Sequence, residues 1–343
     1  MATTLKDVAE RAGVSRSAVS RTFTEGASVS GKTRKKVEKA ARELGYSPSF
    51  IARSLTTRRT KLIGLVSNNF QNPAFMEVFD LFTLALQERG LRPLLVNLSN
   101  ETDPANSVRM LRQYSVDGVI VASSTLPPTF SLAFKDAGVP VVHAFGRYSN
   151  TSDVHVVGVD NKNGGKLAAE LLIRHGYTNL AFLGGPKEAT STQDRLAGFR
   201  KALKALHARA PKTFYAANYS YQAGRAAMEN LLREDQTDGV FCGDDVLCMG
   251  ALDAAREAGL QVPQDLGFVG FNNMEMAGWS AFDLTTIQQP IRDIILSSVD
   301  LIVTTLNNPE RTAEARLFPC SVVERSTLRP CDDQMANAQR QST

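Results

Sequence analysis

The sequence predicts two fold classes in tandem. A small all-α head occupies about the first 60 residues, and an α/β body of two doubly wound parallel sheets follows. Three observations predict this. Apolar residues between Leu5 and Leu44 recur at helical spacing, with capping residues and a glycine turn between the runs. From Leu62 onward, short continuous apolar runs alternate with helical stretches, and that series occurs twice. Charge changes at the same boundary. Residues 1–61 hold 14 Lys+Arg against 5 Asp+Glu, a net of +9, while the whole chain is +4, so residues 62–343 are near −5.

In the head, Leu5, Val8, Ala9 and Ala12 form one apolar helical face, and Thr4 is a suitable N-cap. Gly13 suits a turn that needs positive φ. Ser15 is a second N-cap candidate, and Ala18, Val19 and Thr22 or Phe23 give a second short helix its buried side. Two helices joined by a short glycine turn, with small Ala9 allowing close approach, read as a helix-turn-helix. The open face of the second helix carries Arg16, Ser17, Ser20 and Arg21, side chains suited to base edges and phosphates. The bland alternative is an ordinary surface hairpin, and the basic charge of the head argues against it. A third helix is expected over Gly31–Leu44, capped by Ser30 or Thr33 and ended by Gly45, with Val37, Ala40, Ala41 and Leu44 inward. Lys32, Arg34, Lys35, Lys36 and Lys39 line its outside, either as a solvated face or as phosphate contacts.

Pro48 suits the first turn of a further helix, and Phe50, Ile51, Ala52 and Leu55 are too apolar for a free linker. The segment is too short for a stable isolated helix. A helix that forms only against a partner hinge and DNA resolves this, with Leu55 wedged into a minor-groove step. Alternatively Leu55 packs on the body.

The body's first series reads as strand 62–66, helix 75–89, strand 93–98, helix 104–114, strand 118–122, helix 126–137 and strand 140–145. The second reads as strand 156–160, helix 164–175, strand 180–185, helix 192–206, helix 221–233, strand 239–243, helix 246–258 and strand 267–271. LTTIQQP (284–290), a helix over 291–306 and the run LFPCSVVE (317–324) follow. Beyond Pro330 the tail is polar and expected to be disordered. It has no leucine heptads and so gives no signal for a tail-mediated tetramer.

Composition bounds the rest. With 43% apolar and 22% charged residues, the chain reads as an ordinary soluble protein of two or three domains. No run of ~18 apolar residues occurs, so no transmembrane helix is expected. The N-terminus lacks the apolar stretch of a signal peptide, so a cytoplasmic location is expected. Cys242, Cys248, Cys320 and Cys331 lack metal spacing and read as reduced thiols. His143, His155, His175 and His207 are scattered, so no metal site is read, and His143 reads as a core or pocket-rim residue. No cofactor fingerprint or catalytic constellation is present. Gly184-Gly185-Pro186 reads as a tight strand-to-helix turn rather than a phosphate cradle. A nucleotide-dependent enzyme is therefore disfavoured. A transport solute-binding protein fits two sheets facing one cleft but not the basic head.

The runs T-L-K-D-V-A-E-R-A-G-V-S-x-x-x-V-S-R, E-L-G-Y-S-P-S and A-R-S-L ahead of I-G-L-V together resemble the lactose-repressor (LacI/GalR) family of bacterial transcription regulators, over about residues 4–330. The resemblance implies a dimeric, effector-controlled regulator, most often a repressor, on pseudo-palindromic operator DNA. It implies a head over 1–47, a hinge helix and linker over 48–61, an effector-binding and dimerisation body over 62–329, and a tail over 330–343. The body would be a periplasmic-binding-protein-like clamshell. Its first half would gather 62–160 and 291–318, its second 161–289 and 320–329, with three crossing strands as hinge. Met76, Phe79 and Phe82 are candidates for the dimer surface or for the core.

In that family, positions matching Arg16, Ser17 and Arg21 contact the major groove, and the position matching Leu55 is the minor-groove lever. The DNA-contact set is Thr4, Ser15, Arg16, Ser17, Ser20 and Arg21, with Ala52, Arg53 and Leu55 of the hinge. Ala18 departs from the family pattern, where a phosphate-contacting Thr is frequent.

Doubly wound sheets bind ligands at the carboxyl ends of their strands. That rule and the family pattern select Asn72, Phe75, Phe145, Arg147, Asp160, Ser191, Arg195, Asp244 and Asn272 as effector contacts. Aromatic faces with amide, carboxylate and guanidinium groups suit a polyhydroxylated ligand. Asn272 stands where an Asp is frequent. With Arg147, Lys187 and Arg195 nearby, this extends the candidates from neutral sugars to sugar acids and sugar phosphates. Phe145 is open to a pure core role. Asp245 is read as the cap of the next helix.

Overall fold

The computed structural model describes residues 3–24, 26–47, 54, 59–98, 103–147, 153–234 and 236–331. The hinge readings at 48–53 and 55–58, including Ala52, Arg53 and Leu55, lie outside the described residues, as does the tail from 332. The chain divides into two compact units, Met1–Thr60 and Lys61–Thr343.

The head contains α1 (Leu5–Ala12), α2 (Arg16–Thr22) and α3 (Gly31–Glu43). Each start is fixed by a side-chain cap. The Thr4 hydroxyl accepts from the Asp7 amide while the Asp7 carboxylate accepts from the Thr4 amide, a reciprocal capping box. The Ser15 and Ser30 hydroxyls accept from the Ala18 and Thr33 amides. Gly13, at φ 64°, ends α1 in the left-handed conformation and lets Val14 donate back to the Ala9 carbonyl. Val8, Ala9, Val19, Val37, Ala40 and Ala41 form the core, with the Phe23 and Tyr46 rings closing one side at 5.9 Å.

The body is two sheets, each sandwiched between helices. The first has the order β11-β5-β4-β3-β1-β2. It comprises β1 (Leu62–Ser67), β2 (Arg92–Asn97), β3 (Gly118–Ala122), β4 (Val141–Ala144), β5 (His155–Val159) and β11 (Ala315–Phe318). Every pairing in it is parallel. On one face α4 (Ala74–Glu88) and α11 (Ile291–Asn307) share a core centred on Phe82, Ile120 and Ile294. On the other, α5 (Pro104–Gln113) and α6 (Pro128–Asp136) share a core with Leu111, Phe130 and Phe134.

The second sheet has the order β12-β10-β9-β8-β6-β7. It comprises β6 (Leu180–Gly184), β7 (Lys212–Tyr215), β8 (Gly239–Cys242), β9 (Gly267–Asn272), β10 (Thr286–Gln288) and β12 (Ser321–Val323), of which only β12 pairs antiparallel. Helices α7 (Asn161–Arg174) and α8 (Thr190–Ala205) cover one face with Phe182, Phe199 and Phe271, and α9 (Tyr221–Glu234) and α10 (Asp245–Glu257) cover the other. The central strands are buried along their whole length, which is why they read as unbroken apolar runs. Among the described residues no helix is long and apolar enough to cross a membrane.

Two elements differ from the sequence reading. The run 317–324 is two strands in different sheets, β11 and β12. Pro319, between them, has no amide to donate to a ladder. Strand β7 was not legible: it is a four-residue edge strand whose residues are all at least partly exposed, so it lacks an apolar run.

Candidate functional site

In both sheets the chain order reverses next to the first strand of each series, β1 in one sheet and β6 in the other. The loops leaving the carboxyl ends of the two sheets converge on one cavity. Asn69, Asn72, Phe75 and Val78 reach it from after β1, Ser124 from after β3, and Phe145 from after β4. The second lobe supplies Arg195 from α8, Tyr219 from after β7, Asp244 from after β8, Asn272 from β9 and Gln289 from after β10. Ala74 and Ile291 complete the wall.

Asp244 is at the centre. One carboxylate oxygen accepts from the Val246 amide at 2.8 Å and caps α10. The other accepts from Asn72 Nδ2 at 3.1 Å and Asn272 Nδ2 at 2.8 Å, and so joins the two lobes. Burial pushes the Asp244 carboxyl up. The Val246 amide, the Arg195 charge and the two side-chain amides oppose that shift. Gln289 donates to the Asn272 carbonyl oxygen and extends the network.

Arg195 is held from below. Its Nε donates to Asn161 Oδ1 at 2.8 Å, its Nη1 donates to the Gly243 carbonyl, and its guanidinium lies 3.5 Å from the Phe271 ring centroid. This depends on close helix packing. A Cβ on Gly165 would lie 2.0 Å from the Arg195 carbonyl, and one on Gly198 would lie 1.9 Å from that of Lys162. Only glycine lets α7 and α8 approach so closely. Burial draws the Arg195 pKa down, but a guanidinium keeps its proton at any ordinary pH. Phe145 and Asn272 hold positive φ, 62° and 127°. A bulky Phe there stores strain, the kind of feature that gathers at ligand sites.

Six sequence-selected residues meet at this cavity: Asn72, Phe75, Phe145, Arg195, Asp244 and Asn272. Arg147, Asp160 and Ser191 do not line it. Arg147 finds a carboxylate across the gap, with Nε to Asp194 Oδ2 at 2.8 Å and Nη2 to Oδ1 at 3.1 Å. It lies with Asp160, Lys162 and Leu317 at a separate depression. The Asp160 carboxylate caps α7 by accepting from the Asn163 amide. Ser191 is buried, its hydroxyl 3.1 Å from that of Tyr219. Lys187 is exposed away from the cavity. Asp245 is not the cap of α10. It is fully buried, accepts from the Thr286 hydroxyl at 2.6 Å and the Met274 amide at 2.9 Å, and is pushed up to about 7 by burial. His143 is buried with Nε2 3.0 Å from the Ser123 carbonyl, and burial lowers it to about 4, so it stays neutral.

Tyr219 and Gln289 were missed. Tyr219 follows the unrecognised strand β7, and Gln289 follows β10, where the strand-end rule would have reached it. Among the described residues no group of His, Cys, Asp and Glu is arranged to hold a metal ion.

In the head, Arg16, Ser17, Ser20 and Arg21 are exposed on α2. Among the described residues no ion pair involves Arg16, Arg21, Lys32, Lys35 or Lys36. Four other head cations are engaged: Lys6 with Glu10, Arg11 and Lys39 with Glu43, and Arg34 with the Thr22 carbonyl. The Thr4 and Ser15 hydroxyls are occupied in capping.

Residues 4–49 match the family described as bacterial regulatory proteins, lacI family, and residues 169–328 match a periplasmic binding protein-like domain. The HTH-type transcriptional repressor PurR of Klebsiella pneumoniae is 32% identical over 329 residues, 94% of this chain and 96% of that protein. PurR of Proteus mirabilis is 33% identical over 335 residues, covering 95% and 96%. Among solved structures, the Lac repressor dimer bound to operator and the anti-inducer ONPF aligns with a TM-score of 0.86 at 27% identity, covering 96% of this chain and 100% of that one. The complex of the transcriptional regulator CelR with cellobiose aligns at 0.72 and 28%, covering 95% and 99%. With the head and the two-sheet body both matched along nearly their whole length, the chain belongs to the lacI family of bacterial regulatory proteins.

Proposed function

We propose that this chain is a transcriptional repressor that binds a pseudo-palindromic operator as a homodimer, one α2 per half-site, and that a small molecule in the cleft between its sheets sets operator affinity. The observation that carries the reading is the occurrence together of cations on α2 and α3 that make no ion pair among the described residues and a converging polar cavity in the body. Arg16 and Arg21 would meet base edges or phosphates. Lys32, Lys35 and Lys36 would meet phosphates only.

The effector we infer is neutral and rich in hydroxyls. Phe75, Phe145 and Tyr219 offer ring faces and edges. Asp244, Asn272, Asn72 and Gln289 offer paired acceptors and donors. The charge available to an anion is small. Arg147 is committed to Asp194, and Arg195 already donates to Asn161 and Gly243. This favours neutral sugars over sugar acids and sugar phosphates. It agrees with the cellobiose carried by CelR and the ribose carried by a LacI family regulator from Enterococcus faecium.

Fluorescence anisotropy on the protein's own upstream DNA, with neutral sugars, sugar acids and sugar phosphates added in turn, tests the reading. The expected result is salt-sensitive binding shifted by a neutral ligand. A shift by anions alone overturns the effector assignment, and undetectable duplex binding overturns the whole.

A further inference from the structure

Among the described residues, the hydrogen-bonded links between the two lobes of the body are unequal. Asn72 meets Asp244 on the cavity floor. The Thr190 hydroxyl donates to the Ser124 carbonyl at 2.9 Å, and the Ser191 amide donates to the same oxygen at 3.3 Å. Arg147 makes a further link, and among the described residues it is the one between opposite full charges. Besides its two-pronged contact with Asp194, its Nη2 donates to the Thr190 carbonyl at 3.1 Å and to Gln193 Oε1 at 3.0 Å. One arginine from the end of β4 thus holds the first turn of α8. The pair is only partly open to solvent, with 34% of the Arg147 and 15% of the Asp194 side chain exposed.

Its place in the chain gives it leverage. Arg147 is two residues beyond Phe145, which forms one wall of the cavity in a strained backbone conformation. Asp194 directly precedes Arg195, which forms part of the opposite wall. The pair is thus tied through the chain to both walls of the cavity. Neither Arg147 nor Asp194 lines the cavity. We propose that Arg147 and Asp194 are a positioning pair. They favour the closed body and so set effector affinity without touching the effector. The inference rests on the cleft being the effector site, but closure itself is measurable without effector or DNA.

The test is electron–electron double resonance between spin labels at Gln113→Cys on α5 and Lys204→Cys on α8, two exposed positions in different lobes, in a background with both partly exposed cysteines replaced, Cys320→Ser and Cys331→Ser, and with the labelled chain diluted into excess unlabelled chain so that each dimer carries one labelled protomer. The parent should give one narrow distance, and it is the short one of the closed body. Arg147→Gln or Asp194→Asn should add a longer one and lower the closed-to-open ratio about fivefold, the scale of a partly screened two-pronged pair. The exchanged pair, Arg147→Asp with Asp194→Arg, should restore the short distance. Arg147→Lys should fall between, because it keeps the charge and loses the fork. Circular dichroism on each variant checks that it folds. Single variants with the parent distribution overturn the proposal, as does an exchanged pair as open as the singles. Either result leaves operator binding standing, and loss of effector response with intact closure changes would sink the effector reading alone.

Discussion

The α2 face of the head and the cavity of the body use charge in opposite ways. On the head, Arg16, Arg21, Lys32, Lys35 and Lys36 carry exposed charge that makes no ion pair among the described residues. In the cavity, Asp244 accepts from three donors, Arg195 is stacked and bonded, and Arg147 is turned away onto Asp194. Free surface cations cost little in water and suit a partner that is a polyanion. A buried charge left unpaired costs several kcal/mol, so the cavity must satisfy itself before any ligand arrives. The head thus suits a strong, salt-sensitive encounter, and in the proposed function the cavity would exchange one hydrogen-bond set for another.

The largest effect should come from the head face. Arg16→Ala with Arg21→Ala should weaken operator binding by at least about a hundredfold, read by anisotropy, with effector binding unchanged by calorimetry. Equal loss of both would mean that the two regions are not separable as described.

The next effect is pH dependence in the body. Asp245, raised to about 7, keeps its proton in the folded state where an unfolded chain loses it near 3.8. Its contribution is full below about pH 4 and lost as pH rises through 7. His143, lowered from 6.5 to about 4, has the opposite effect: its contribution is present above pH 6.5 and lost as pH falls toward 4. Urea unfolding between pH 4.5 and 7 should show Asp245→Asn gaining on the parent as pH rises, by on the order of 3 kcal/mol. His143→Gln should gain as pH falls. Parallel pH profiles for parent and variants would show that neither group titrates differently in the folded and unfolded chain.

Smaller effects belong to the head's fold. Val37→Ala, at a fully buried position, should cost about 2 kcal/mol of head stability. Thr4→Ala, which breaks the capping box, should cost about 1 kcal/mol. Both should lower the head's melting temperature and leave the body's transition where it was. A shift in the body's transition instead would contradict the two-unit division.

The same contrast explains what the sequence made legible. Head structure is signalled locally: Thr4 caps three residues away, Gly13 ends the helix it follows, and Val8 and Val19 fall on a helical period. Buried parallel strands announce themselves as apolar runs for the same reason. The cavity is different. Asn72 meets Asp244 across 172 residues, and Arg147 meets Asp194 across 47, so no local pattern says whether a side chain faces a ligand or another side chain. The strand-end rule found Asn72, Asp244 and Asn272 because topology places them there. It could not tell that Arg147 and Asp160 would be spent on Asp194 and a helix cap. Nor could it reach Tyr219 past β7, a strand too short and too exposed to give a signal.

The most direct measurement is the operator affinity of this chain over about 50–300 mM salt, with and without a saturating neutral sugar that binds the body. The expected result is a steep fall in log K with log salt from several phosphate contacts, and a curve displaced about tenfold or more by the ligand with its slope retained. Affinity independent of salt, or salt-dependent curves that superimpose with and without the bound ligand, would contradict it.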